Sequence, residues 1–193
     1  VLSTVPSFSF PDIVELPDCY KKRLLDVHYL AAIVVILELD RPLTSFYWMN
    51  IADHTIPFLG LIEHTNMLPT EWYQGNNVLY LTNYLDRSDP VYKMSQNEIL
   101  DLYLPHLNKF NPEFDRSWIK AIHYNAVSAA QPIIPTNYSK AIPNHRTPIR
   151  KLYLANTTQI YPEDRGTNYS IRMGREIAEM IMDDEKENWR HWA

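Results

Sequence analysis

The stretch Val27-His28-Tyr29-Leu30-Ala31-Ala32-Ile33-Val34-Val35-Ile36-Leu37-Glu38-Leu39 decides the fold class. Read with a period of two, one face carries Val27, Tyr29, Ala31, Ile33, Val35, Leu37 and Leu39. The other carries His28, Leu30, Ala32, Val34, Ile36 and Glu38, polar only at its ends. A strand apolar on both faces in its middle is expected to be covered on both sides. Pro42 ends it. The wholly apolar core of this stretch, Tyr29 to Leu37, is too short to span a bilayer, which takes about 20 residues.

Further strands are expected over Val1–Val5, Tyr47–Asn50, Phe58–Thr65, Val78–Tyr84, Ser117–Asn125 and Lys151–Ala155. Gln74-Gly75-Asn76-Asn77 reads as a turn into one of them. Consecutive strands with short links point to an antiparallel sheet. Helices interrupt the strands. Pro17–Leu25 reads as a short helix with Asp18 in its first turn. Ser95-Gln96-Asn97-Glu98 is a capping box, with Met94 and Ile99 at the staple positions. The stripe Leu100, Tyr103, Leu104, Leu107 follows at helical spacing until Pro105 disturbs the last turn. From about Tyr169 to Met182 the stripe Met173, Ile177, Met180, Ile181 predicts a second long helix. The charged segment 183–193 reads as a frayed tail. The class is α+β: a mostly antiparallel sheet with helices, plus a terminal strand-loop-helix.

Composition bounds the function. The 193 residues are 46% hydrophobic and 21% charged, so a core is affordable and disorder is not indicated. Net charge is −5, and Lys21, Lys22 and Arg23 form the only basic run, which disfavours nucleic acid as a partner. The single cysteine, Cys19, excludes an internal disulfide and fits a reduced, cytoplasmic setting. The chain starts at Val1 without a signal-peptide pattern, and a trimmed or partial chain is expected. Only four glycines occur, at 60, 75, 166 and 174, so neither G-x-G-x-x-G nor a P-loop is present.

Near the end, Leu152-Tyr153-Leu154-Ala155-Asn156, then Tyr161-Pro162-Glu163-Asp164-Arg165-Gly166-Thr167-Asn168-Tyr169, then Gly174-Arg175-Glu176-Ile177-Ala178 form strand, loop and helix. This series resembles the C-terminal flavin-contacting signature of FAD-dependent oxidoreductases of the amine-oxidase and protoporphyrinogen-oxidase type. Val1-Leu2-Ser3-Thr4-Val5-Pro6 resembles the strand by which that family's chain leaves its nucleotide-binding domain. Segments around Arg41–Thr44, Phe46–Trp48, Glu63–Asn66, Tyr80–Leu85 and Ala130–Pro132 resemble its substrate domain.

The resemblance implies a strand remnant of the FAD domain at 1–6 and a substrate-binding-like domain at 7–150. It places the C-terminal FAD-domain strand and helix at 151–182. It implies FAD as cofactor in the intact parent, with Asn156, Asp164, Arg165, Gly166, Thr167 and Asn168 toward it. Binding by this chain alone is expected to be weak or absent, because the dinucleotide fingerprint is missing. The family's usual Gly-Asp after the last strand reads Ala155-Asn156 here. The helix N-terminus supports the same role on physical grounds, since its unpaired N–H groups favour the negative charge of a reduced flavin. Gly174 inside the helix would be explained by a close neighbour.

Tyr47, Trp48, His64 and Tyr84 are the candidate substrate-facing residues. The aromatics Tyr47, Trp48, Tyr80 and Tyr84 have two readings, cross-strand core pairs or the wall of a cavity. Arg165 has a salt bridge to Glu163 or Asp164 as its bland alternative. The seven histidines show no ligand spacing, so no metal is expected. No catalytic acid or base is identifiable. A small-molecule substrate belongs to the parent, whereas the alternative is a non-catalytic, self-associating domain. For that alternative a homodimer is expected, with exchanged C-terminal elements as one form of it, from apolar faces of the terminal strand and helix left without a parent sheet.

Overall fold

The computed structural model describes residues 1–190, with side chains through Lys186. In chain order the elements are β1 (Leu2–Ser3), α1 (Phe10–Ile13), α2 (Asp18–Leu25), β2 (Tyr29–Leu39), β3 (Trp48–Asn50), β4 (Gly60–Glu63), β5 (Asn77–Leu85), α3 (Gln96–Tyr103), β6 (Ile119–Pro132), β7 (Tyr153–Leu154) and α4 (Thr167–Arg190). Short 3-10 turns lie between them. The architecture is α+β. The chain divides into two compact units: a middle unit, Tyr29–Gln131, and a terminal unit made of Val1–His28 and the chain from Pro132 onward. Segments 7–28 and 132–150, expected in the middle domain, therefore fall with the first strand and the last helix.

The middle unit is a five-stranded sheet of order β3-β4-β5-β2-β6. Strands β2 and β5 pair antiparallel from Ala31↔Leu85 to Leu39↔Asn77, and β4 pairs antiparallel with both β5 and β3. One face is the core, with Ile33, Val35, Leu37, Leu61, Leu79 and Leu81 all fully buried. Helix α3 covers it with Ile99, Leu100 and Tyr103. Each such side chain withdrawn from water contributes about 1.5–3 kcal/mol. The capping box of Ser95 and Glu98 is formed. At Pro105 the chain tightens into a 3-10 turn, Leu104–Lys109, which still buries Leu104 and Leu107. On the core face of β5 the buried polar side chain of Asn83 donates to the Pro57 carbonyl oxygen at 2.8 Å.

The other sheet face departs from the expectation of cover on both sides. Ala32 is buried, but Leu30, Val34 and Ile36 are only half-buried. Trp48 and Tyr84 are 55% and 47% exposed. Two strand ends also move. The expected strand Phe58–Thr65 stops at Glu63, and His64–Asn66 is a 3-10 turn. The Glu63 carboxylate is drawn to the N–H groups of Leu43 and Thr44, at 2.6 Å each, and to the Thr44 hydroxyl. Burial pushes the Glu63 carboxyl up, and these donors pull it back. Strand β6 starts at Ile119 and runs on to Pro132, beyond the expected Asn125. Its alanines at 126, 129 and 130 carry little strand signal, and cross-strand pairing overrides their propensity.

In the terminal unit, β1 and β7 pair in parallel, Leu2↔Tyr153 and Ser3↔Leu154. Both are shorter than the sequence suggests. Beneath them Phe10, Leu16, Tyr20, Leu24 and Leu154 form a small core. Helix α4 does not fray at Asp183. Asp184 accepts from Arg146 Nε at 2.9 Å and Nη2 at 2.8 Å, and from the Tyr153 hydroxyl at 2.7 Å. Arg146 and then Tyr153 hold its carboxyl down at about 2. Lys151 pairs with Glu185 beside it. Residues 191–193 of the expected tail lie outside the described residues. Of the stripe Met173, Ile177, Met180 and Ile181, only Ile177 is fully buried. Among the described residues no helix is long and apolar enough to cross a membrane.

Candidate functional site

Each unit holds one group of the candidate residues. In the terminal unit, the chain after β7 reaches helix α4 through the loop 161–166. The Asp164 side chain lies in solvent at 92% exposure, and its carboxylate accepts from the Arg165 backbone N–H at 2.8 Å. The Arg165 guanidinium is largely covered, at 13% exposure, and its Nη2 stands 4.0 Å from Asp164. Glu163 accepts from Arg172 Nη2 at 2.6 Å, which ties the loop to the first turns of α4. The Gly166 carbonyl oxygen accepts from Tyr169 and Ser170 N–H, which makes Gly166 the cap of the helix.

Thr167 and Asn168 open the helix and are exposed. As its first residues they direct their N–H groups forward along the axis, the geometry suited to an anion or a polarised carbonyl. A side chain at Gly166 would run into the Asn168 amide oxygen, so the glycine lets Asn168 fold back over the cap. Gly174 has open space around it, so no neighbour among the described residues explains it.

Asn156 sits apart from that loop, buried at 8% exposure. Its Nδ2 donates to the Val5 carbonyl oxygen at 3.0 Å and to Ser7 Oγ at 3.1 Å. Its Oδ1 accepts from Thr158 Oγ1 at 2.6 Å and Thr158 N at 3.1 Å. Gln159 completes a capping box by accepting from the Asn156 N–H at 2.9 Å. The amide's donors and acceptor are thus engaged inside the protein. The network of Ser7, Thr158 and Gln159 was not anticipated, although Asn156-Thr157-Thr158-Gln159 has the capping-box spacing in plain view.

In the middle unit, Tyr47, Trp48 and His64 gather at one end of the half-open sheet face. His64 Nε2 lies 2.6 Å from the Tyr73 hydroxyl, and its ring is 5.3 Å from Tyr73 and 5.7 Å from Tyr80. The Tyr47 and Trp48 rings are 6.4 Å apart, and Trp48 Nε1 donates to Asn50. Burial, with Tyr73 and Tyr47 nearby, pushes the Tyr80 phenol up. Tyr84 shares the face of Tyr80, but four residues along β5 put it about 13 Å away. These aromatics are not core pairs, because the core lies on the opposite face. Sequence reasoning missed Tyr73, which lies in a 3-10 turn with no periodic signal. Among the described residues no group of three His, Cys, Asp or Glu side chains could hold a metal ion.

No family model matches the sequence, and no curated protein matches it. Solved structures do match. A candidate protoporphyrinogen oxidase from Exiguobacterium superimposes over 95% of this chain and 41% of its own, with a TM-score of 0.69 and 14% identity. A redesigned putrescine oxidase does so over 95% and 42%, with a TM-score of 0.70 and 14% identity. An oxidoreductase from Methanosarcina mazei matches over 81% and 37%, at 0.60 and 17%. The fold is that of a portion of these larger proteins. The chain spans about two fifths of the length of the solved structures it matches.

Proposed function

We propose that this chain is a substrate-domain and flavin-facing portion of an FAD-dependent oxidoreductase of the amine-oxidase and protoporphyrinogen-oxidase type. The observation that carries the reading is the superposition of 95% of the chain on two such oxidases. FAD would supply the redox chemistry, by accepting a hydride from a small-molecule substrate. The residues present fit one end of that cofactor only. Thr167 and Asn168 offer backbone donors at a helix start to the ring edge, with Asp164 to Gly166 shaping the approach. Nothing in the sequence cradles a pyrophosphate, so the dinucleotide end needs a further G-x-G-x-x-G segment. Asn156 is best read as fixing the turn after β7 rather than as meeting the cofactor directly.

In the middle unit the half-open sheet face, with Tyr47, Trp48, His64 and Tyr84, is the substrate wall. The aromatic surfaces would exclude water and orient an apolar or cationic substrate. A reducing cytoplasmic setting suits the lone, exposed Cys19. The test is to mix the purified chain with FAD and remove excess. The expected result is loss of the yellow colour, and retention only when a segment carrying the dinucleotide fingerprint is supplied. Tight, stoichiometric retention by the chain alone would overturn the claim of incompleteness.

A second reading, a self-associating domain without catalysis, is favoured by the exposed apolar side chains Ile171 and Met182 on α4, at 55% and 53%. This second reading gives a homodimer through these surfaces. Light scattering at high concentration checks this; a monomer counts against it.

A further inference from the structure

Helix α2 has two faces of different character. Tyr20 and Leu24 enter the small core, whereas Cys19, Lys22, Arg23 and Asp26 form a stripe at i, i+3, i+4 and i+7. That stripe is one wall of a cavity of about 530 Å³, within the size range of small-molecule sites. The facing wall comes from Ile133, Pro135, Tyr138 and Ala141, with Val27 and His28 at the end of the helix. It is largely carbon. The Tyr138 hydroxyl donates to the Thr158 carbonyl oxygen at 2.7 Å, so Tyr138 offers the cavity its ring. Ile133 is 48% exposed, an apolar surface without cover.

The charges are unbalanced. Lys22 and Arg23 make no side-chain ion pair among the described residues, and Asp26 is the only carboxylate on the cavity wall. A ligand that satisfies both walls needs an apolar body and a negative head.

We propose that this cavity binds a small amphipathic anion, an apolar carboxylate whose chain or ring lies against Ile133, Pro135 and Tyr138 and whose head meets Lys22 and Arg23. The cavity is walled by α2, none of residues 164–168 lines it, and the proposal does not rest on the flavin reading. A cation of the same shape would face two like charges. A neutral ligand would leave both cations without a partner.

Octanoate is the probe, titrated calorimetrically into the whole chain, with octylammonium and 1-octanol as equal-length controls. One saturable octanoate site per chain is expected, with both controls weaker by about tenfold or more. The double variant Lys22→Gln/Arg23→Gln changes two exposed side chains and should keep its far-UV spectrum while losing about tenfold in octanoate affinity. Cys19 is the sole cysteine and lines the same cavity, so its alkylation by iodoacetamide should slow when octanoate saturates. Absence of saturation by octanoate would overturn the proposal. So would controls that bind as tightly, a double variant with undiminished affinity, or alkylation indifferent to octanoate.

Discussion

Replacing Asn156 by Asp separates a structural from a ligand-binding role for this residue. The change keeps size and shape and keeps both bonds accepted from Thr158. It removes the two bonds that Nδ2 donates, to Val5 O at 3.0 Å and Ser7 Oγ at 3.1 Å. Each is worth about 1 kcal/mol net. It also turns a buried carboxylate oxygen toward the Val5 carbonyl oxygen, an unmet acceptor pair costing roughly 1–3 kcal/mol. Ser7 can rotate its hydroxyl and donate to the carboxylate, which offsets part of the loss. The expected destabilisation at neutral pH is about 2–4 kcal/mol.

The penalty should depend on pH. Burial raises the new carboxyl above its unfolded value of about 3.9. Between the unfolded and the folded pKa, the folded state binds more protons, so stability rises as pH falls. The protonated acid can also donate to Val5 O. Urea midpoints of the wild type and Asn156→Asp at pH 7 and pH 4 measure this, with the m-value as a check on two-state behaviour. A variant within about 0.5 kcal/mol of the wild type at pH 7, below the typical worth of one such bond, would refute the reasoning. So would a penalty that does not shrink on acidification. Either result would leave Asn156 open to a cofactor role.

Tyr20 is buried with a hydroxyl that has no hydrogen-bond partner among the described residues, and desolvation pushes its phenol up. Tyr20→Phe should therefore stabilise the protein by about 1 kcal/mol, seen as a rise of about 2–4 °C in Tm, and a fall would show a hidden partner. Asp184, held at about 2 against an ordinary 3.8, contributes stability that is present above 3.8 and lost as pH falls to about 2. The difference in urea midpoint between wild type and Asp184→Asn should shrink across that window; a constant difference would mean that Arg146 and Tyr153 do not anchor α4 through this carboxylate.

The sequence by itself determined the local elements whose signals lie within a few residues. The β2 alternation, the Ser95–Glu98 capping box, the stop near Pro105 and the start of α2 at Asp18 depend on side-chain spacing and on proline's missing N–H. It also pointed to a helix start just after Gly166, with Thr167 or Asn168 expected as the cap, whereas the structure starts the helix at Thr167 and gives the cap to Gly166. Only the tertiary structure decided the rest. The parallel pairing of β1 with β7 joins residues about 150 positions apart, which no local pattern encodes. Strand β6 reaches Pro132 and α4 continues past Asp183 because a neighbouring strand and the Arg146–Asp184 pair supply what local propensity lacks. Which atoms Asn156 meets was likewise a matter of distant chain, since Val5 and Ser7 reach it only once the fold has closed. The loop at 164–168 was legible as a helix start; that Glu163 accepts from Arg172 was not, because only the helix turn sets that distance.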